Sequence, residues 1–245
     1  FLGYSAGDHA TTTQHSIAIG YDAMSEGITT GTDNIAVGRY AGNHITSGES
    51  NVAIGHNSGK NVTTAGLTVF VGLGAGSNST TGYYNIGVGD SALRGAAAGL
   101  TGAHNIGMGS QAGYGLTSGA HNLLLGVTSG HALTTGSNNV ALGNTSMGNG
   151  VVTGSYNVGV GYQTGYTLTT GQYNVLNGYK AGRSLTTGSN NIALGNSAIG
   201  STATKTGSYN TGIGYQTGYN LTTGQYNVLS GYQAGYALTS GNDHT

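Results

Sequence analysis

The chain has no cysteine, no proline and no tryptophan, and among 245 residues it has only six Lys or Arg and seven Asp or Glu. Without cysteine there are no disulfides and no thiolate metal sites, although the redox compartment stays open. Six scattered basic residues form no patch able to neutralise phosphates, which argues against a nucleic-acid partner. No apolar run reaches the length of a membrane-spanning helix, so no membrane insertion is expected of this segment. Glycine is abundant, at 49 residues, but does not follow the collagen G-X-Y period. Disordered chains are usually rich in charge, and here charged residues make up 5%. Apolar residues make up 36% and fall at fixed spacings, as a regular fold requires.

Those spacings define a repeat, and the repeat governs everything else. The unit reads Asn-apolar-x-apolar-Gly, then x-x-small-Gly, then x-x-apolar-Thr-Thr-Gly. Asn139-Val140-Ala141-Leu142-Gly143 and Asn191-Ile192-Ala193-Leu194-Gly195 open two units, and Leu185-Thr186-Thr187-Gly188 closes one. The Gly after the apolar pair recurs from Gly3 to Gly231 at steps of 17 to 20 residues. Thirteen complete units run from Gln14 to Gly241, and Thr or Ser precedes the closing residue in each, which is Gly in twelve and Ala65 in one. Eleven open with Asn: Asn34, Asn51, Asn85, Asn105, Asn122, Asn139, Asn157, Asn174, Asn191, Asn210 and Asn227; Ser16 and Thr68 are the exceptions.

Rung length follows one position. Nine units have Gly at the middle corner and are 17 residues long; Met24, Leu93, Met147 and Ile199 replace it in the four longer ones. A tight corner at φ > 0 suits Gly, so a bulky residue there is expected to force a wider loop and to cover the end of the local core. A coarser period overlies the first. Residues 155–178 and 208–231 are nearly identical, and the strand centre cycles through Ala141, Gly159, Leu176, Ala193, Gly212 and Leu229. Three units therefore form a module, either by duplication or because every third rung meets its neighbours differently.

No segment shows a helical period. The alternate apolar pair, as in Val140 and Leu142, predicts a short strand with one buried face. The second apolar site, as in Leu168, Leu185 and Leu221, predicts a second strand, with Gly, Asn and Thr at the corners. Two strands and two corners close a coil. The fold class expected is all-β: a parallel β-solenoid, or β-roll, of about 14 rungs of 17–20 residues. Residues 1–245 read as a single repeat array, expected to be a segment of a longer fibre chain. Stacking places the Asn column as an amide ladder, each side chain donating to one neighbouring rung and accepting from the other. The Thr/Ser column before the closing Gly is expected to do the same with hydroxyls.

The stretches Asn51-Val52-Ala53-Ile54-Gly55 and Asn190-Asn191-Ile192-Ala193-Leu194-Gly195 resemble the head repeats of YadA-like trimeric autotransporter adhesins. The 17-residue form closing on Leu-Thr-Thr-Gly is similar to glycine-rich repeat arrays of phage tail fibres. The resemblance covers essentially the whole chain. It implies a left-handed β-roll, a homotrimer or other homo-oligomeric fibre, and a stalk or head presenting an adhesive surface.

Candidate sites are few. Tyr84, Tyr156, Tyr173, Tyr209 and Tyr226 share one column with His15, His104 and His121, and Tyr162, Tyr179, Tyr215 and Tyr232 share another. Exposed Tyr offers an apolar face and a polar tip. Tyr156, Tyr173, Tyr209 and Tyr226 are the candidate surface contacts, for inter-rung stacking, inter-chain packing or a cell-surface glycan or receptor. The His positions form a loose, variable set, which argues against a metal. No catalytic or cofactor-binding residue is assigned: the acidic residues are dispersed, no Ser-His-Asp or paired-carboxylate pattern recurs, and the unit lacks the Asp of calcium-binding β-rolls. The expected function is structural, not enzymatic: a subunit of a rigid extracellular, cell-surface or virion fibre supporting attachment. The alternative is a regular surface that binds glycan or, less favoured, ice. Ice binding wants a double Thr column, but adjacent Thr residues point to opposite faces.

Overall fold

The structure, a computed structural model, describes residues 1–11 and 15–244. Gln14, the expected start of the first complete unit, and Thr245 lie outside the described residues. The chain forms two compact units, Phe1–His121 and Asn122–Thr245. The described residues contain no α-helix and thirteen three-residue strands. The first unit holds β1 (Ile17–Ile19), β2 (Ile35–Val37), β3 (Val52–Ile54), β4 (Val69–Val71), β5 (Ile86–Val88) and β6 (Ile106–Met108). The second holds β7 (Leu123–Leu125), β8 (Val140–Leu142), β9 (Val158–Val160), β10 (Val175–Asn177), β11 (Ile192–Leu194), β12 (Thr211–Ile213) and β13 (Val228–Ser230). Within each unit every strand pairs in parallel with the strands before and after it, as in a β-solenoid. The register is that of the repeat: Ala36 faces Ala53, and Ala141 faces Gly159. Before β1, Leu2 bridges Ile19, beginning one further rung.

The Gly that ends each strand is dictated by the backbone. Gly178 has φ +128, and a Cβ there would stand 2.5 Å from the carbonyl oxygen of Gly195 in the next rung. No L side chain fits that conformation or that gap, so this column never varies.

The Asn ladder forms, and it uses the whole amide. Asn157 Nδ2 donates to Asn139 Oδ1 at 3.1 Å and to Gly171 O at 2.9 Å, while its backbone N–H donates to the same Oδ1 at 2.9 Å. Where one ladder Asn follows another, the Oδ1 thus accepts two bonds and the Nδ2 gives two, which exhausts the hydrogen-bonding capacity of a buried group. The ladder joins Asn34 to Asn51, Asn85 to Asn105, and every Asn from Asn122 to Asn227. At the two exceptions hydroxyls substitute: Asn34 N donates to Ser16 Oγ, and Thr68 Oγ1 donates to Asn51 Oδ1 at 2.7 Å. In one rung the closing residue is Ala65, whose carbonyl accepts from Asn51 Nδ2 in place of a glycine's.

Four expectations need correction. The strand pair faces outward, not inward. Ala36, Ala141, Leu176 and the other strand centres are buried, whereas the flanking residues are half-buried or exposed, such as Ile17 at 46% and Val228 at 50%. Period-two spacing shows that two residues share a face, not which face is dry. No second strand forms among the described residues. The second apolar site contributes buried side chains (Ile45, Leu116, Leu168, Leu221) and only isolated bridges, Ala10 to Thr29, Ser79 to Leu100, Leu133 to Val152 and Leu185 to Lys205, each reaching one of the longer rungs. The hydroxyl column lies one residue earlier than expected. Thr169 Oγ1, not that of the exposed Thr170, donates to Thr186 O at 3.1 Å in the next rung.

The fourth correction concerns the corner. Met24, Leu93, Met147 and Ile199 occupy the same left-handed conformation as the glycines, at φ 50, 45, 49 and 45. Their side chains are buried, and Leu93, Met147 and Ile199 fill space at a glycine of the next strand centre. A Cβ on Gly107 would meet Leu93, one on Gly159 would meet Met147, and one on Gly212 would meet Ile199. Conversely, the large centres Phe70, Leu124, Leu176 and Leu229 sit over the corner glycines Gly76, Gly130, Gly182 and Gly235. Bulk supplied by the centre is withheld from the corner, and the reverse, as close packing of a thin core demands. The three-unit module of the second half is therefore a packing cycle: bulky corner, then two glycines, then bulky centre.

Candidate binding surfaces

The residue before each ladder Asn must take a left-handed turn, and it does so whatever its type: Tyr84, Tyr156, Tyr173, Tyr209 and Tyr226 lie at φ 57 to 60. That costs roughly 1 kcal/mol per side-chain-bearing residue. The neighbouring ladder bonds hold the turn, and the aromatic ring is aimed into solvent. Tyr156 and Tyr173 stack at 5.0 Å with planes 4° apart, and Tyr209 and Tyr226 at 4.9 Å and 8°. These spacings are the strand separation itself. The four candidate contacts make two pairs, not one continuous stack, because Asn190 holds the intervening place in the column. All four rings are about half exposed. The second column also pairs, Tyr162 with Tyr179 at 5.4 Å and Tyr215 with Tyr232 at 5.3 Å. A third pair, Tyr219 and Tyr236 at 5.2 Å, was not expected.

His104 stacks between Tyr84 and His121, at 4.7 and 4.8 Å. His15 instead lies 3.4 Å from an Asp33 carboxylate oxygen. Among the described residues no three His, Cys, Asp or Glu side chains gather as a metal site would need.

Three features escape a reading by consensus, two because they depart from the repeat and one because alternation along a strand does not say which face is dry. The first is Lys205, which takes the place of Leu168, Leu185 and Leu221 in the second apolar column and is 1% exposed. Its ammonium donates to the carbonyls of Tyr219 and Leu221, both at 2.8 Å. Burial pushes its pKa down to about 8. The second is the outward strand pair, which leaves an apolar sheet face on each unit. Ile17, Ile19, Ile54 and Met108 on the first, and Val175, Ile192, Ile213 and Val228 on the second, are each more than a third exposed.

The third is a notch of about 390 Å³ in the first unit. Two side-chain columns run along the corner there, one through Asn57, Gly74 and Ser91 and one through Lys60, Ser77 and Arg94. The middle rung supplies the short member of both, so the surface dips between Lys60 and Arg94. Among the fourteen residues two places after a strand-ending Gly, only Gly74 lacks a side chain, and that was the legible signal.

No helix among the described residues is long and apolar enough to cross a membrane. Comparison with protein-family models, curated proteins and solved structures returned no match for this chain.

Proposed function

We propose that the chain is a structural segment of a rigid extracellular or virion fibre, of the kind seen in phage tail fibres or bacterial surface adhesins, in which copies of the chain pack through the outward apolar face of the strands. The observation that carries this reading is the inversion of the strand pair. Ten of the thirteen strands place two large apolar residues outside their own core, and the other three place one, in register with the rungs above and below. Contiguous apolar surface of that kind is characteristic of an interface and is a liability on an isolated chain. A stack of coils held by parallel backbone ladders and a saturated Asn column is stiff along its axis, as a spacer requires. No residue is assigned a catalytic role.

The test is the mass of the native chain in solution by sedimentation equilibrium. A trimer is expected, and Val175→Asp combined with Ile192→Asp should release monomers that keep their β-sheet signal. A native chain that is monomeric at micromolar concentration would overturn the proposal.

The half-exposed Tyr pairs favour a second reading, lateral contact with neutral sugars through stacking. Tyr156→Ala and Tyr173→Ala should then abolish retention on a glycan array that retains the native chain.

A further inference from the structure

We propose that the notch between Lys60 and Arg94 is a binding site for an acidic saccharide, a sugar ring bearing a carboxylate. The inference is independent of the fibre reading, because the lining lies at the corner of the coil and uses none of the outward strand pair.

The rim is cationic and held in place. Lys60 Nζ lies 5.3 Å from the ring centre of Tyr40, and the Arg94 guanidinium lies 5.1 Å from that of Tyr114 and donates to its hydroxyl. Neither cation has a carboxylate partner among the described residues. One of five guanidinium N–H groups is engaged by Tyr114, so Arg94 keeps donors in the fork geometry that fits a carboxylate. The floor and walls match the rest of a sugar. Asn61 donates to Asn78 at 3.0 Å and Asn78 to Gly95 O at 3.3 Å, which fixes the amides while leaving Asn61 Oδ1 to accept from hydroxyls. Asp90, bound by Ser91 Oγ–H at 3.2 Å, supplies a further hydroxyl acceptor. Leu73, 54% exposed, offers an aliphatic surface to the C–H face of a ring. A bare phosphate or sulfate would use the cations and leave Leu73 and the Asn61 Oδ1 acceptor idle. The volume falls at the small end of the roughly 300–1,000 Å³ typical of small-molecule sites.

Packing does not require the glycine that opens the notch. A Cβ on Gly74 would meet only Ser91 Oγ, at 3.6 Å. The equivalent Asn57 and Ser91 adopt the same left-handed backbone, at φ 57 and 53, with side chains attached. Gly74→Asn therefore copies a residue that the column already accepts and closes the site without disturbing the fold.

The experiment is titration of the intact chain, by calorimetry or by NMR shift, with a sialylated trisaccharide, a digalacturonate, their neutral parent sugars and inorganic phosphate. One or both acidic sugars should bind, and the neutral parents should bind at least about tenfold more weakly, since each charge-assisted bond contributes on that scale. Gly74→Asn should abolish binding, and Arg94→Gln should weaken it about tenfold with an unchanged β-sheet signal. Equal affinity for neutral sugars, equal affinity for phosphate, undiminished binding by Gly74→Asn, or no binding at millimolar sugar would each overturn the proposal.

Discussion

The two units apply one backbone scheme with different discipline. In Phe1–His121 the strand centres run Ala18, Ala36, Ala53, Phe70, Gly87, Gly107, without a cycle, and the Asn ladder is interrupted at Thr68. That unit also holds six of the seven acidic residues and the notch. In Asn122–Thr245 the ladder runs unbroken from Asn122 to Asn227, and bulky corner, paired glycine and bulky centre follow one another in threes. The difference separates what the coil demands from what it tolerates. Both units keep the strand-ending Gly and the left-handed turn before the ladder position. Core volume need only balance between adjacent rungs, and a periodic arrangement is one solution among several. The irregular unit is also the one with a surface that departs from the repeat, as a specific site must.

The comparison is best broken in the core. Phe70→Ala in the first unit and Leu176→Ala in the second each remove the side chain that covers two or more glycines, and each should cost roughly 3–4 kcal/mol. Urea unfolding followed by hydrogen exchange of each unit would measure this. If balance between centre and corner is the rule, adding Gly182→Met to Leu176→Ala, in imitation of Ala141 and Met147, recovers most of the loss. An additive penalty would refute that rule.

The ladder comes next in size. Asn174→Ala strands Gly188 O and the N–H and Nδ2 groups of Asn191 that now reach a single amide. Roughly 2–3 kcal/mol should be lost, with exchange protection falling in the rungs on both sides.

Lys205 supplies a pH dependence confined to the second unit. Its folded pKa of about 8 lies below the ordinary 10.5. Below pH 8 both states carry the charge, and the fold bears the full cost of burying it. Between pH 8 and 10.5 the unfolded state holds more protons, so stability rises with pH and then levels off. The gain across that window is at most about 3 kcal/mol and is smaller where the two carbonyl contacts offset desolvation. Lys205→Leu should be more stable than native at pH 7 and show no such rise. A native profile that is flat from pH 7 to 10.5 would contradict the burial.

The smallest effect should be a gain. Thr68→Asn restores the ladder of the first unit and should stabilise it by about 1 kcal/mol, read as a shift in its denaturation midpoint.

Much of this molecule was legible because its backbone geometry dictates residue identity. The φ of the strand-ending glycine, the full amide needed by the ladder and the separation of stacked strands translate into invariant Gly, recurrent Asn and a fixed period. Hence the all-β parallel solenoid, the rung boundaries and the stacking of Tyr156 on Tyr173 could be read from residues alone. The notch was legible only as an exception, a missing side chain at Gly74 between two long cations. The metal-free reading of His104 and His121 rested on variability, which gives no geometry.

Other features were decided only in three dimensions. Alternation along a strand is symmetric between its two faces, and only the width of the closed coil determines that Ala, Gly or a single Leu fits inside while Val and Ile face out. Side chains at the corner and at the next strand centre are distant in the rung pattern but compete for one volume, so the three-rung cycle acquires a cause only once rungs are stacked. Lys205 reads as a surface residue until the coil closes over it. The period followed from local backbone demands, whereas the inside, the outside and the occupancy of the core were set by packing between rungs.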